Sequence, residues 1–341
     1  MAEAPLLEVT DIRKTFGARP RFGSSARGAV EEVKALDRVS VSVPAHQTVA
    51  LVGESGSGKS TLARVIMRLI EPDSGSVRLE GQELLTMDRG ALTAIRRRIQ
   101  MVFQDPYSSL NPRRTVGAAI AEPGHVHRIV DRRREVAFVK ELLERVGLSE
   151  QMADRLPREL SGGQRQRVAI ARALAVNPDI LIADEAVSAL DVTVQAQILN
   201  LFETLRCELG FTMLFISHQL QVVAHISDRV AVMYQGRIVE VGPPKDLFGS
   251  PGHPYTLGLI EAQPGRRRGA SHPRPPRFAG TSPAELVTVG CSYRDRCPLA
   301  TEECRDIQPA LVEVAPGHEV ACHHASQAMA HAFPPQEIPA P

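Results

Sequence analysis

The chain lacks an excess of charge of either sign: 40 Lys and Arg face 39 Asp and Glu, a formal net charge of +1. No global field therefore drives the whole molecule onto nucleic acid or an acidic membrane. Long hydrophobic runs are lacking as well. Even the apolar stretch from Val168 to Val176 is broken by Arg172 and stopped by Pro178, short of the roughly 18 to 20 apolar residues that a bilayer crossing needs. Any membrane role is expected to be peripheral. Met1-Ala2-Glu3-Ala4-Pro5 has neither the basic start nor the apolar core of a secretory signal, which points to the cytosol. Compositional extremes are missing too, with 43% hydrophobic and 23% charged residues, as in ordinary globular proteins. The 341 residues predict about two folding units. Cysteine is scarce, yet four of the five lie between Cys291 and Cys322. In a reducing compartment such a cluster more often holds metal than forms disulfides.

Short β-rich runs open the chain at Leu6 to Val9, Ala35 to Val43 and Gln47 to Gly53, with Gly17 to Glu31 reading as a loop between the first two. From Gly53 the rhythm is strand, glycine-rich turn, helix, which marks an α/β nucleotide domain. Leu142, Leu143, Val146 and Leu148 predict an amphipathic helix in an all-helical stretch that ends near Pro157. Ile180 to Ala183 and Met213 to Ser217 read as buried parallel strands whose carboxyl ends open into a site. Ala231 to Met233 and Ile238 to Val241, joined across Gly236, read as a hairpin. Gln263 to Ser282 has five arginines and no acids among Pro, Gly and Ser, a solvated tether or a basic strip that touches lipid head groups or a partner. Pro334 to Pro341 reads as a disordered tail, and Cys207 as a core residue of a helix.

Gly53-Glu54-Ser55-Gly56-Ser57-Gly58-Lys59-Ser60-Thr61 satisfies G-x-x-x-x-G-K-[ST] between a strand and a helix. Its glycines let backbone N–H groups converge on phosphate oxygens, the helix start adds its dipole, Lys59 adds a full charge and Ser60 is a Mg²⁺ ligand. Asp184 and Glu185 end an apolar strand. The first can hold Mg²⁺ and the second can polarise the water that attacks a γ-phosphate. Ser161-Gly162-Gly163-Gln164 begins a second anion-binding helix, with Val168, Ala171, Leu174 and Ala175 as its apolar stripe. One nucleotide can hardly use both helix starts of one compact domain, so the second is expected to serve a nucleotide on another copy.

The Gly53 to Thr61 loop, Gln104, Leu160 to Gln164, Leu181 to Glu185, Ser188-Ala189-Leu190-Asp191 and His218 resemble, in order and spacing, the ATP-binding subunits of ABC transporters over about residues 6 to 262. The resemblance implies a P-loop α/β fold with a RecA-like core, an antiparallel β subdomain and a helical subdomain at about 105–177. It also implies Gln104 as the glutamine that senses Mg²⁺ and faces the membrane subunit, Asp191 as the acid at a dimer interface and His218 as the switch histidine near the γ-phosphate. Phe16 resembles the aromatic that stacks on adenine, or is a plain core residue. Ala186 stands where the family usually has Pro, and Gln219 where an acid is common.

Gln104 to Arg113, Ser188 to Gln197, His253-Pro254-Tyr255-Thr256 and the C-terminal extension are similar to the oligopeptide and dipeptide importer ATPases, nearer the F-type than the D-type subunit. That branch implies an ATPase on the cytoplasmic face of the membrane that drives peptide uptake. Its implied partners are a second, D-type ATPase subunit, two integral membrane permeases and an extracytoplasmic solute-binding protein, with no nucleic acid. The rival readings are a soluble ABC ATPase acting on ribosomes or DNA, and a redox or metal sensor regulated by the ATPase. Cys291, Cys297, Cys304 and Cys322 suit thiolate ligation of a [4Fe-4S] cluster or of Zn²⁺, or are reduced structural cysteines. The resemblance favours the cluster. Expected boundaries are an ATP-binding domain at 1–262, a linker at 263–285, a cysteine-rich module at 286–326 and a disordered tail at 327–341.

Overall fold

A computed structural model describes residues 4–17, 32–105, 109–262 and 289–330. The readings made on 18–31, on 106–108, on the linker at 263–285 and on the tail from 331 onward lie outside the described residues. The chain opens with two long antiparallel strands, β1 (Leu7–Gly17) and β2 (Glu32–Val43). Val39, Val41 and Val43 alternate into the core, the period of a strand with one covered face. β3 (Thr48–Val52) is buried throughout and runs into the glycine-rich loop and α1 (Lys59–Ile66). β4 (Ser74–Leu79) and β5 (Gln82–Glu83) complete a four-stranded antiparallel sheet of order β2-β1-β4-β5. Next come α2 (Arg89–Arg98), whose first turn is capped by Asp88, and β6 (Ile99–Val102).

The middle stretch is helical: α3 (Val116–Val126), α4 (Glu135–Arg145) and α5 (Gly162–Leu174), with 3₁₀ turns at Glu150–Asp154 and Pro157–Glu159. Leu142 and Leu143 lie on α4, while Val146 and Leu148 are buried just past its end. Then follow β7 (Ile180–Asp184), α6 (Val192–Leu209), β8 (Thr212–Ser217), α7 (Leu220–Ile226), the antiparallel pair β9 (Arg229–Tyr234) and β10 (Arg237–Gly242), α8 (Pro244–Gly249) and α9 (Pro254–Glu261). Residues 289–330 add α10 (Glu303–Asp306), β11 (Val312–Ala315), β12 (His318–Val320) and α11 (Ala325–Ala330).

The larger sheet has eight strands in the order β11-β12-β10-β9-β3-β8-β7-β6. β9, β3, β8, β7 and β6 are parallel, so β3, β7 and β8 bring their carboxyl ends to one edge. That edge is where α/β sheets build sites. One core packs the antiparallel sheet and α1 against the central strands, with Leu7, Ile12, Leu62, Ile66 and Leu214 inside it. A second joins the helical stretch to the opposite face through Leu143, Ile170, Phe202 and Phe215, and it takes in Cys291, Tyr293 and Cys304.

Three expectations need correcting. The cysteine-rich segment is continuous with the ATPase sheet, because β12 pairs with β10 through Glu240↔Val320 and Val241↔Glu319. Residues 327–330 are helical rather than tail, since Ala325 and Ala328, three apart on α11, are buried. Cys207 is exposed. The buried stripe of α6 is Ile198, Leu199, Phe202 and Leu205, and two steps beyond Leu205 the helix has turned about 200° away.

Candidate nucleotide-binding and hydrolysis site

The loop after β3 sits where its glycines leave room for nothing larger. A Cβ on Gly53 would meet the Met233 carbonyl oxygen at 2.1 Å, and one on Gly58, at φ 107°, the Ala35 carbonyl oxygen at 2.3 Å. Lys59, only 4% exposed, donates from Nζ to the carbonyls of Gly53 (2.8 Å) and Glu54 (2.8 Å) and to Ser57 Oγ (3.3 Å). Burial pulls its pKa below the ordinary lysine value, against the opposing pull of Glu185, Asp184 and Glu54. A buried ammonium held by its own loop is a charge prepared for an anion.

The Mg²⁺ assignment falls on residues that meet. Ser60 Oγ donates to Asp184 Oδ1 at 2.9 Å, joining α1 to the end of β7. Burial raises the Asp184 carboxyl, Glu185 adding to it, while the Ser60 hydroxyl, Arg64 and Lys59 lower it. A buried carboxylate beside a second acid and a hydroxyl is a donor set that fits a hard divalent cation. Glu185 holds a left-handed backbone at φ 48°, and its N–H donates to the Ile216 carbonyl of β8 at 2.9 Å. Non-glycine residues kept in that region cluster where the surroundings over-determine them. The Glu185 side chain is touched by both of its expected companions: Gln104 Nε2 donates to Oε2 at 2.9 Å, and His218 Nδ1 lies 3.5 Å from Oε1.

A pocket of about 640 Å³ is lined by Ser55 to Thr61 together with Gln104 and Glu185. Gly53 and Asp184 are not among its lining residues, though Lys59 Nζ donates to the Gly53 carbonyl and Ser60 Oγ to Asp184. Ser161, Gly162, Gly163 and Gln164 are not among its lining residues. They start α5, where Ser161 Oγ accepts the Gln164 N–H (3.3 Å) and Gln164 Oε1 accepts the Ser161 N–H (3.0 Å), a reciprocal capping box. Asp191 caps α6 by accepting the Val194 N–H at 2.9 Å. Phe16 does not line the pocket either. It is 40% exposed, it has Lys14 Nζ 5.6 Å from its ring centroid, and it pairs in register with Val33, which does line the pocket. Ala186 is buried, and Gln219 Oε1 accepts from Gln195 Nε2 at 2.7 Å.

Cys291 and Cys304 lie in one buried core, and Cys297 packs against it. Burial drives the Cys322 thiol up to about 12, with Cys297, Cys291 and Cys304 adding to the shift. Cys297 is driven up to about 11 by burial, with Cys291 and Cys304 adding to the shift. Burial also raises Cys291. Four thiols between Cys291 and Cys322 supply the donor type that a thiolate-binding metal takes. A tetrahedral zinc would need sulfurs about 3.8 Å apart. Among the described residues no group of three or more His, Cys, Asp or Glu side chains is placed to hold a metal ion. The iron–sulfur expectation thus rests on donor type and number.

Two residues that no motif marked, Tyr234 and Arg296, also line the pocket, and Tyr255 and Tyr293 pack against Tyr234. Tyr255 accepts the Glu54 N–H on its hydroxyl at 2.8 Å, and Arg296 makes a two-pronged ion pair with the Glu54 carboxylate. Tyr255 belongs to the His253-Pro254-Tyr255-Thr256 run, so its position was marked and its task was not.

Residues 36–188 match the family model of the ABC transporter, and residues 239–304 that of the oligopeptide/dipeptide transporter C-terminal region. The chain is 52% identical over 331 residues to the probable peptide ABC transporter ATP-binding protein y4tS of Sinorhizobium fredii, covering 96% of this chain and 93% of that one. It is 45% identical over 321 residues to the oligopeptide transport ATP-binding protein AppF of Bacillus subtilis, covering 93% and 97% respectively. Among solved structures it is similar to the dimeric post-hydrolysis state of the ATP-binding cassette MJ0796 bound to ADP and Pi, with a TM-score of 0.61 and 30% identity over 70% of this chain and 98% of that one. CbiO1 of Clostridium perfringens, part of the transporter complex cbiONQ, aligns with the same TM-score of 0.61 and 28% identity, over 72% and 91%. With the phosphate loop, the paired acids and the two sheets in this arrangement, the chain belongs to the ABC transporter family, as one of its ATP-binding, ATP-hydrolysing subunits.

Proposed function

We propose that this subunit cleaves MgATP between two cassettes to drive uptake of di- and oligopeptides through partner membrane permeases. One observation carries the two-cassette reading: the Ser161 to Gln164 helix start does not line the pocket formed by its own chain's Gly53 to Thr61 loop. A nucleotide held by Lys59 on one cassette is then completed by Ser161 and Gln164 of a second, with Asp191 at the contact. The dimeric MJ0796 cassette supports that arrangement, and the peptide transporters y4tS and AppF support the substrate.

Within the site, Gly56, Ser57, Gly58, Lys59 and Thr61 bind the phosphates. Ser60 and Asp184 would hold Mg²⁺, which would offset the charge developing on the transferred phosphoryl group. Glu185 orients and deprotonates the attacking water, Gln104 fixes the carboxylate, and His218 holds its other oxygen near the γ-phosphate. Gln104 relays the opening and closing to the permeases. Cys291, Cys297, Cys304 and Cys322 would be the ligands of a [4Fe-4S] cluster, a reading supported by donor type and number alone, and a D-type subunit and a solute-binding protein would complete the importer.

Glu185→Gln tests the chemistry. ATP binding should persist, dimers should accumulate with ATP, and phosphate release should fall by at least a hundredfold. Undiminished turnover would refute Glu185 as the base. Detergent co-purification tests the role, with membrane subunits expected and ribosomal RNA or DNA favouring the soluble alternative. Iron and acid-labile sulfide in anaerobically purified protein test the cluster, and zinc without iron would count against it.

A further inference from the structure

The phosphate loop is gripped from outside by the cysteine-bearing extension. Glu54, its second residue, receives Arg296 on both carboxylate oxygens, Nη1 to Oε2 at 3.2 Å and Nη2 to Oε1 at 3.1 Å. The Arg296 guanidinium carbon lies 5.8 Å from the ring centroids of both Tyr234 and Tyr293. Tyr293 packs on Tyr234 at 5.2 Å and on Tyr255 at 5.6 Å, and the Tyr255 hydroxyl holds the Glu54 N–H. Tyr293 and Arg296 both lie in the short segment between Cys291 and Cys297, which is closed by a 3₁₀ turn and tied to Cys304 through the Cys291 N–H at 2.8 Å. Arg296 reaches the same pocket wall as Ser55 to Thr61.

The chemistry of that contact has a direction. A carboxylate beside a site for polyphosphate repels its ligand, and a two-pronged guanidinium both offsets the charge and fixes the side chain. The Glu54 carbonyl is one of the two that Lys59 holds, so the Glu54 peptide links Arg296 to the lysine that meets the phosphates. We propose that Arg296 is a positioning residue of the nucleotide site, through which the Cys291–Cys297 segment sets the phosphate loop's affinity for nucleotide. Nucleotide binding thereby depends on the integrity of the cysteine extension. The proposal rests on the assignment of Gly53 to Thr61 as the phosphate loop.

Calorimetric titration of the full chain with MgADP tests it. Arg296→Ala should weaken ADP binding about five- to tenfold and raise KM for ATP while leaving kcat at saturation near the parent value. Arg296→Lys should recover part of the loss. Adding Glu54→Gln to Arg296→Ala should recover most of it, because the repelling carboxylate is gone. Cys297→Ser should weaken ADP binding as Arg296→Ala does, and combining the two should cost no more than either. Unchanged affinity in both Arg296→Ala and Arg296→Lys would overturn the proposal. So would an equal loss with and without the Glu54 carboxylate, or full affinity in Cys297→Ser. Lys59→Ala is the control: ADP affinity undiminished there would instead refute the phosphate-loop assignment.

Discussion

His253 illustrates how a single buried group leaves a trace in bulk behaviour. It is 1% exposed, its Nδ1 accepts the Tyr255 N–H at 3.0 Å at the start of α9, and its ring lies 5.7 Å from that of Tyr293. Burial drives its pKa from 6.5 down to about 3, so the folded chain keeps it neutral while the unfolded chain protonates it below about 6.5. The stability it contributes is complete above that pH and is lost as the pH falls toward about 3, by up to about 1.4 kcal/mol per unit. His253→Asn keeps an acceptor for the helix start and removes the titration. Urea midpoints of the variant are expected to lie lower near neutrality yet to fall less steeply between pH 6.5 and 4, and equal slopes would refute this account. Gly53 offers a steric counterpart. With the Met233 carbonyl 2.1 Å from any added Cβ, Gly53→Ala must displace the loop from β9 and should abolish nucleotide binding in a filter or calorimetric assay.

At the level of elements, α5 carries two duties at one end. The Ser161–Gln164 capping box satisfies the helix start, so Ser161→Ala should cost about 1 kcal/mol in denaturant unfolding. ATP turnover should fall more than tenfold, far beyond what that loss of stability accounts for, if the same hydroxyl faces a nucleotide on a second cassette. A fall in turnover no larger than the fall in folded protein would leave Ser161 with capping alone. Elements of this kind were readable in the sequence because their physics is local: β3, β7 and β8 are unbroken apolar runs since both faces are covered, and Ser161 precedes its glycines as caps do. β11 and β12 were not readable. Val312 and Val314 are exposed, and β12 has three residues, so neither shows a buried period. What makes them strands is an edge of β10, supplied from far away in the chain.

The same contrast holds for the whole molecule. Lys59, Ser60, Asp184 and Glu185 stood out because each belongs to a short motif, whereas Arg296 meets Glu54 across a separation of 242 positions, and no local pattern encodes such a meeting. Glu240 belongs to this long-range class: completely buried, it accepts from the Gly252 N–H (2.7 Å) and the His253 N–H (3.1 Å), and it contacts His318 Nε2 at 2.7 Å. A chain ending at residue 262 would lose His318 and Arg296 and uncover the β10 edge. Size-exclusion chromatography should show it self-associating, as unpaired strand edges do, and a monodisperse monomer would refute the dependence. The grip on Glu54 also has a bearing on synthesis. A polypeptide still growing on the ribosome presents its phosphate loop 242 positions before the arginine that steadies it, and contacts between such distant positions form slowly. Nascent subunits would thus hold nucleotide more weakly until Arg296 has been added and has reached Glu54.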